Sequence, residues 1–365
     1  MHAPSVGEGL MAQPVLARLR RANAALQVAY TFFSPSAERF AAGIGADVSD
    51  YLPFDTASAA ARLLDALAPN VLVFSKLDVW PTLVAAAERR GIPVALTSAS
   101  VSPGSGRASW LAGLVLHDAY AAIAAAGAAD DDSAARLATL GVPPERIEVT
   151  GDVRYDQAWE RAHTRPLGAQ LHDRFNPARP TVVAGSTWPS DEAELLAAWE
   201  KVRNRSPDAR LIIAAHEPSA AHTRAVIAWA HGMGMTAASL DDATPDTDAV
   251  IVDRMGVLAD LYAFATVAYV GGGFHGAGLH SLVEPAAHGA PVVFGPRGAN
   301  TRDAMALTST GGGFVARSAA ELAQRVCALL ADRNTCAAAG EAAAAMIRTG
   351  LGAADRSAAL VQRFL

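Results

Sequence analysis

The sequence predicts an α/β fold made of two doubly wound domains. Short, continuous apolar runs of strand length alternate with longer alanine- and arginine-rich segments that have helical spacing. Such strands are typical of parallel sheets buried on both faces. The runs form two successive sets, and 365 residues are enough for two domains.

The elements follow from these patterns in chain order. The first set predicts strands at residues 26–31, 71–74, 93–97, 120–124 and 147–150. The second set predicts strands at residues 181–184, 210–214, 249–252, 267–270 and 291–294. The clearest helical segments are residues 9–20, 58–67 and 191–202.

The domain boundary is expected in the polar stretch between residues 159 and 180, which has two prolines ahead of a strand and breaks the periodicity. We therefore predict an N-terminal domain at 1–165, a second domain at 166–345, and a C-terminal helix at 346–365 that packs back on the first. Ligands of such folds bind beyond the carboxyl ends of the strands, so a cleft between the domains is the expected site.

Composition excludes several classes of protein. The net charge of −6 argues against a general nucleic-acid binder. Cys327 and Cys336 fit no CxxC spacing and are expected to be reduced structural thiols. Neither an apolar run of about 18 residues nor a signal peptide is visible, which predicts a cytoplasmic protein. No His, Cys or Asp cluster has the spacing of metal ligands, so we expect no metal.

The stretch 267–303 is the most informative part of the chain. Gly271, Gly273 and Gly276 form a GxGxxG pattern after a strand, but no acidic residue ends a strand about 20 residues later, which disfavours a dinucleotide fold. We expect a helix that opens near His280, with Glu284 one turn into it. Loop amides and the helix N-terminus would then hold a phosphate, and Glu284 a ribose. A structural loop and a glutamate that only complements the helix dipole are the alternatives.

Other polar residues follow strands of the second set. Ser186 and Thr187 suit phosphate or carboxylate contact, although helix capping alone also explains them. His216 follows the next strand, and residues 253–258 form a turn whose backbone could contact a nucleotide base. A purely structural role for His216 and an ordinary turn at 253–258 are the alternatives.

Two carboxylates are candidates in the first domain. The segment Ser5-Val6-Gly7-Glu8 predicts a turn from which Glu8 could act as general base on an acceptor hydroxyl, or could simply cap a helix. Asp78 follows the strand at 71–74 and is the second candidate. Trp80 is expected to pack rather than to stack on a ligand.

These segments occur together, in this order, in one known family. They include Ser-Val-Gly-Glu at 5–8, the segments 31–36, 51–55 and 76–81, Gly-Asp-Val-Arg-Tyr-Asp at 151–156, and the loops at 185–189, 215–218, 255–258, 271–274, 280–285 and 295–300. Over essentially its whole length, the chain resembles the transferases that attach 3-deoxy-D-manno-octulosonic acid (Kdo) to a lipid A precursor.

The resemblance implies a GT-B fold, in which two Rossmann-like domains face a cleft. It also implies CMP-Kdo as donor, inverting transfer without a metal or other cofactor, Glu8 as base, and work at the cytoplasmic face of the inner membrane. Asp78 stands where the family has a glutamate on the acceptor side. The implied donor-binding residues are Ser186, Thr187, Ala215, His216, Met255, Gly256, Val257, Gly272, Gly273, His280, Ser281, Leu282, Val283, Glu284 and Asn300.

The chain departs from the family pattern in several places. The usual arginine near His216 is absent, Ser281 replaces an asparagine, and Val257 replaces an acidic residue. Members also carry a hydrophobic anchor and a first strand ahead of the Ser-Val-Gly-Glu turn. We therefore expect an upstream start site and an open place in the first sheet near Glu8. Transfer from another nucleotide sugar, such as a UDP-hexosamine, and a non-catalytic nucleotide- or glycan-binding relative remain the alternatives.

Overall fold

The computed structural model describes residues 1–102, 104, 106–108, 110–164, 175 and 178–365. The chain forms two compact units, Met1–Gln157 with Gly350–Leu365, and Ala158–Thr349. The chain therefore passes from the first unit to the second within one helix and returns just before the last one. Most of the polar stretch in which a domain boundary is predicted, residues 165–174, 176 and 177, lies outside the described residues.

The first unit is an α/β unit with parallel strands. Its strands are β1 Ala29–Phe32, β2 Val48–Tyr51, β3 Leu72–Ser75, β4 Val94–Ala99, β5 Ala125–Ala128 and β6 Ile147–Val149. Its helices are α1 Val6–Ala22, α2 Glu38–Ala41, α3 Ala57–Leu67, α4 Pro81–Glu88, α5 Trp110–Ala121, α6 Asp131–Leu140, α7 Val153–Thr164, which continues into the second unit, and the final helix α15 Ala353–Gln362.

The N-terminal residues complete the sheet of this unit. Strand β1 pairs with β2, and β3 to β6 form a four-stranded parallel sheet. His2 makes parallel bridges to Thr31 of β1 and to Phe74 of β3, which joins the two parts. A cavity of about 510 Å³ lies beside Met1, lined by residues of 23–29 and 67–73 among others. The sequence predicts an open place in the sheet near Glu8. Glu8 is not among the residues that line this cavity.

The second unit contains one seven-stranded parallel sheet. Its strands are β7 Thr181–Thr187, β8 Arg210–Ala215, β9 Ala237–Ser239, β10 Ala249–Val252, β11 Val267–Val270, β12 Val292–Phe294 and β13 Gly313–Val315. Their spatial order is β13-β12-β11-β7-β8-β10-β9. The helices are α8 Pro189–Arg205, α9 Ala220–Gly232, α10 Leu258–Leu261, α11 Val283–Ala287, α12 Arg302–Thr310, α13 Ala319–Ala331 and α14 Arg333–Thr349.

The sheet of the second unit is apolar because it is covered on both faces. Val182, Leu211 and Ile251 belong to one core cluster, and Val183, Ile212 and Val250 belong to another. Adjacent residues of a strand point to opposite faces, so each strand contributes to both cores. The prediction of a doubly wound α/β fold is confirmed by this arrangement.

One predicted strand is wrong, and three strands were missed. Tyr120 lies in helix α5, and the strand of this region begins only at Ala125. An alanine-rich apolar run has no periodicity that separates a buried strand from a helix. Strands β2, β9 and β13 are only three or four residues long and, apart from Gly313, are not buried, so they lack an apolar run. No helix among the described residues is long and apolar enough to cross a membrane.

Candidate functional site

The candidate donor residues lie in loops that follow parallel strands of the second unit. Ser186 and Thr187 are the last residues of β7, Ala215 is the last residue of β8, and the other candidates follow β8, β10, β11 and β12. Strand β7 comes first in the chain but lies in the middle of the sheet, with β8 on one side and β11 on the other. The strand order therefore reverses here, and such a switch point is where open α/β sheets bind ligands.

Asp191 fixes the glycine loop that follows β11. Its buried carboxylate accepts hydrogen bonds from the amides of Gly272 at 2.7 Å and Phe274 at 3.0 Å, and from the Tyr269 hydroxyl at 3.2 Å. These two amides are therefore engaged within the unit, whereas the sequence suggested that the loop amides face a ligand. Asp191 therefore holds the loop in its conformation, and these two amides are not available to a ligand.

The helix after the glycine loop begins later than expected. The sequence predicted an opening near His280 with Glu284 one turn inside, but α11 begins at Val283 and has only five residues. Residues 278–282 have no regular structure, so Glu284 is the second residue of a short helix. So short a helix aligns few peptide dipoles, so its N-terminus carries less positive charge than that of a longer helix.

Four aromatic rings from three loops meet beside the switch point. The Trp188 ring stacks with His275 at a centroid distance of 4.1 Å and an interplanar angle of 9°, and with His216 at 4.5 Å and 28°. His216 also stacks with His280 at 4.5 Å. The structure thus brings the predicted residues His216 and His280 together. All four side chains are partly exposed, so the cluster is accessible to a ligand.

Burial lowers the pKa of His280, and the neighbouring His216 and His275 add to this effect, while Asp191 acts in the opposite direction. His280 is therefore neutral around pH 7. The cluster therefore offers aromatic faces and a neutral hydrogen-bonding imidazole at His280 to an anionic ligand.

The remaining candidate residues for binding the sugar donor differ in how exposed their side chains are. Thr187 is buried, and its hydroxyl donates to Glu192 at 2.7 Å. Leu282 and Val283 are also buried, so only their backbones could contact a ligand. The more exposed candidates are Ser186, Ala215, Met255, Gly256, Val257, Ser281, Glu284 and Asn300, while Gly272 and Gly273 are buried in the loop.

The loop at residues 255–257 is held by an arginine that the sequence did not indicate. Arg161 donates to the Gly256 carbonyl at 3.1 Å and pairs with Asp260 at 2.8 Å. Met255 is 69% exposed in this loop. The arrangement leaves a backbone edge and an apolar side chain available to a nucleotide base.

Glu8 lies in the first turn of α1, which Ser5 caps by accepting from the Gly7 amide. The Ser5 hydroxyl donates to the Glu8 carboxylate, and Lys76 Nζ lies 3.5 Å from Glu8 Oε1. The side chain is 19% exposed. Burial acts to raise the pKa of Glu8, but the Ser5 hydrogen bond and the Lys76 charge outweigh it, so the pKa lies below its usual value. Glu8 is both a first-turn residue and an accessible, ionised carboxylate.

Asp78 lies on the same unit, after β3. It accepts from Trp80 Nε1 at 3.2 Å, and Arg107 lies 3.5 Å from its other oxygen. The Trp80 ring packs against Phe33, as the sequence suggested. Among the described residues no group of three or more histidine, cysteine, aspartate or glutamate side chains is placed to hold a metal ion. The prediction of metal-independent chemistry stays a prediction, as do the individual ligand contacts.

Local sequence patterns do not indicate the contacts of Trp188, Asp191, Arg161 and His275. Trp188 lies in the loop at 185–189, and Asp191 begins the predicted helical segment 191–202. Their loop partners lie about 80 to 90 residues further along the chain, so only the fold reveals these contacts. A pattern of local residues carries no signal for such pairs.

Solved structures of similar fold come from two enzyme types. UDP-GlcNAc 2-epimerase from Neisseria meningitidis, bound to UDP-GlcNAc, matches with a TM-score of 0.70 and 14% identity over 99% of this chain and 97% of its own. A glycosyltransferase from Rickettsia africae matches with a TM-score of 0.64 and 12% identity over 100% of this chain and 96% of its own. The chain has the predicted GT-B fold, and its relatives by sequence are glycosyltransferases.

Sequence comparison gives the family. A family model described as 3-deoxy-D-manno-octulosonic-acid transferase (kdotransferase) matches residues 1–157. The 3-deoxy-D-manno-octulosonic acid transferase of Bordetella pertussis is 31% identical over 98% of this chain and 85% of its own length. That of Haemophilus influenzae is 26% identical over 100% of this chain and 86% of its own. The chain belongs to the Kdo transferase family, as its motifs predicted.

Proposed function

We propose that this protein transfers Kdo from CMP-Kdo to a hydroxyl group of a lipid A precursor, with inversion at the anomeric carbon. The observation that carries the proposal is the state of Glu8, an accessible carboxylate held ionised between the Ser5 hydroxyl and the Lys76 ammonium. A general base has to be deprotonated at working pH and must reach a substrate hydroxyl. The names of the relatives support Kdo as the transferred sugar.

In the proposed reaction Glu8 takes the proton of the acceptor hydroxyl. The acceptor oxygen forms a bond to the anomeric carbon of Kdo on the face opposite CMP. The bond from that carbon to the CMP phosphate oxygen breaks, and CMP leaves with the electron pair. Donors that stabilise the charge developing on the phosphate would lower the barrier.

Three features of the second unit support binding of the donor. The loops after β7 and β11 flank the switch point of the sheet. The Trp188–histidine cluster adds partly exposed imidazoles that can donate hydrogen bonds to anionic oxygens. Arg161 fixes the backbone of the loop at residues 255–257, as a loop that reads a base edge would require. The proposed reaction uses no metal or other cofactor. Because the acceptor is a lipid, we also propose that the protein acts at the cytoplasmic face of the inner membrane.

The substitution Glu8→Gln tests the base. It keeps the size of the side chain but removes the proton acceptor, so kcat should fall by about 100-fold to 10,000-fold. CMP affinity, measured by calorimetry, should stay unchanged because the donor site lies on the other unit. Glu38→Gln, at an exposed position of α2, is the matched control. Full turnover by Glu8→Gln would refute the assignment.

A comparison of nucleotides tests the donor. CMP should raise the melting temperature more than UDP at equal concentration, because the ligand that binds more tightly stabilises the folded state more. Val257 and the missing arginine near His216 are the observations that keep another nucleotide sugar, such as a UDP-hexosamine, as second candidate. A larger shift with UDP would favour that candidate, and binding without transfer of any sugar would favour a non-catalytic relative.

A further inference from the structure

The hydrogen bond between Trp188 and His280 determines which nitrogen of His280 carries a proton. Trp188 Nε1 lies 2.9 Å from His280 Nε2. An indole N–H can only donate, so His280 Nε2 must be the acceptor and must hold a lone pair. The imidazole proton therefore lies on Nδ1, and His280 cannot take up a second proton without losing the bond to Trp188.

The groups around His280 reinforce this state. His216 stacks on its ring at 4.5 Å, and His275 stacks on the Trp188 ring at 4.1 Å. Both imidazoles disfavour a positive charge on His280, while the Asp191 carboxylate favours it. The stacking also fixes the plane of the indole, so its N–H keeps pointing at His280.

The second nitrogen of His280 is available to a ligand. No described residue accepts a hydrogen bond from Nδ1, and Nδ1 is not among the buried atoms without a partner. A polar N–H that points neither to protein nor into a dry core reaches solvent. In this cluster it lies beside the loops after β7, β8 and β11.

We propose that Trp188 is a positioning residue that keeps His280 neutral, with its Nδ1–H directed as a hydrogen-bond donor to an anionic oxygen of the nucleotide-sugar donor. The identity of the ligand rests on the proposed function, whereas the tautomer does not. A neutral donor fixed in direction suits an oxygen whose charge increases as the phosphate leaves.

The tautomer is tested by nitrogen NMR of protein labelled with ¹⁵N-histidine. His280 is one of ten histidines, and its signals are identified by their loss in His280→Asn. In the unmodified protein we expect a protonated Nδ1 and an unprotonated Nε2 at neutral pH. In Trp188→Phe, which keeps an aromatic ring but lacks the N–H, the Nε2-protonated form should appear and His280 should titrate at higher pH. An Nε2-protonated His280 in the unmodified protein would overturn the inference.

The effect on the ligand is tested by titration with CMP across pH. Trp188→Phe should weaken CMP binding by about fivefold to tenfold at neutral pH, the usual effect of one misdirected hydrogen bond. The CMP affinity of this variant should also vary with pH in a different way from that of the unmodified protein, because His280 titrates at a higher pH in the variant. Trp229→Phe, a partly buried tryptophan of α9, is the control and should change neither property.

The two proposals fail in different ways. If the unmodified protein binds no CMP but shows the predicted tautomer, the proposed function fails and the role of Trp188 in fixing His280 stands. If CMP binds and Trp188→Phe changes neither the tautomer nor the affinity, the inference about Trp188 is overturned while the proposed function stands. A changed tautomer with unchanged CMP affinity at every pH would refute the contact between His280 and the ligand.

Discussion

Lys76, which pairs with Glu8, has an unusual backbone conformation. Lys76 has a φ angle of 70°, in the left-handed region that non-glycine residues rarely occupy. Such strain is usually retained at functional sites, where the surrounding structure compensates for it. The amide of Lys76 donates to Thr97 at 2.8 Å, which holds the residue in this conformation. We infer that the strained turn serves to bring the ammonium beside the Glu8 carboxylate.

The substitution Lys76→Met should shift the acid side of the pH–rate profile. The Lys76 charge is one of the contributions that lower the pKa of Glu8, so its removal raises that pKa. Glu8 would then become protonated, and inactive as a base, at a higher pH than in the unmodified protein. We expect reduced kcat/KM at acidic pH and nearly unchanged kcat/KM at alkaline pH, measured between about pH 5 and pH 9.

Lys201 provides the control for this substitution. It is the other lysine of the chain and lies exposed on α8. Lys201→Met removes the same charge from the molecule but should leave the profile unchanged. An acid limb that moves to lower pH in Lys76→Met, or does not move, would contradict the role assigned to Lys76.

At the scale of elements, the glycine loop after β11 is packed against the loop after β12. A Cβ atom on Gly273 would lie 2.4 Å from the Gly295 amide nitrogen. This nitrogen belongs to the backbone, so it cannot rotate out of the way as the end of a flexible side chain could. A Cβ atom on Gly271 would likewise lie 2.3 Å from the Ser186 carbonyl oxygen. Gly276 in the same loop has open space on every side of that position. The pattern of three glycines therefore contains two strict steric requirements, at Gly271 and Gly273, and one position without any, at Gly276.

Gly273→Ala and Gly276→Ala form a matched pair. The first should reduce the free energy of unfolding by about 1–3 kcal/mol, because backbone must move to admit the methyl group. The second should leave it within about 0.5 kcal/mol. Denaturant unfolding gives both values, and CMP titration should show weaker binding only for Gly273→Ala. Equal behaviour of the two variants would mean that the loops do not approach as closely as described.

The sequence predicted most elements because the buried strands are marked by continuous apolar residues. It placed β10 and β11 at their observed bounds and most other predicted strands within a few residues, but it missed β2, β9 and β13. It failed at Tyr120, where a helix and a strand share the same alanine-rich composition, and at α11, whose start depends on the irregular loop before it. Local patterns do not contain the tertiary contacts that decide such boundaries.

Candidate residues show the same limit. His216 and His280 were predicted from their place after strands, and the structure brings them to 4.5 Å. Trp188 contacts His280 across 92 positions of sequence, so no spacing rule could connect them. Positions at strand ends could be predicted, whereas the partners of each side chain could not.

On the scale of the whole molecule, the last helix belongs to the first unit although it follows the second in the chain. Helix α15 packs on α1, and Leu360 and Val361 are fully buried in the same core cluster as Val15. Asp156 accepts from the amides of Gly352 at 2.7 Å and Ala354 at 2.9 Å, which holds the start of the helix. The first unit is therefore incomplete until the end of the chain has been made.

Deletion of residues 350–365 should destabilise the first unit selectively. Loss of two fully buried aliphatic side chains alone costs about 4 kcal/mol, or roughly 10 °C in melting temperature. Hydrogen exchange should show reduced protection in β1–β6 and retained protection in β7–β13. Deletion of the half-exposed Leu365 alone is the control and should change little. Equal loss of protection in both units would contradict the assignment of the last helix to the first unit.

Asp191 couples the folding of the second unit to the thermodynamics of ligand binding. Its carboxylate holds the amides of Trp188, Gly272 and Phe274, so the turn after β7 and the glycine loop are ordered together before any ligand arrives. A ligand that binds to loops already in their final conformation loses little affinity to the entropy of ordering them. Changes that loosen this carboxylate would therefore weaken donor binding without removing any atom that touches the donor.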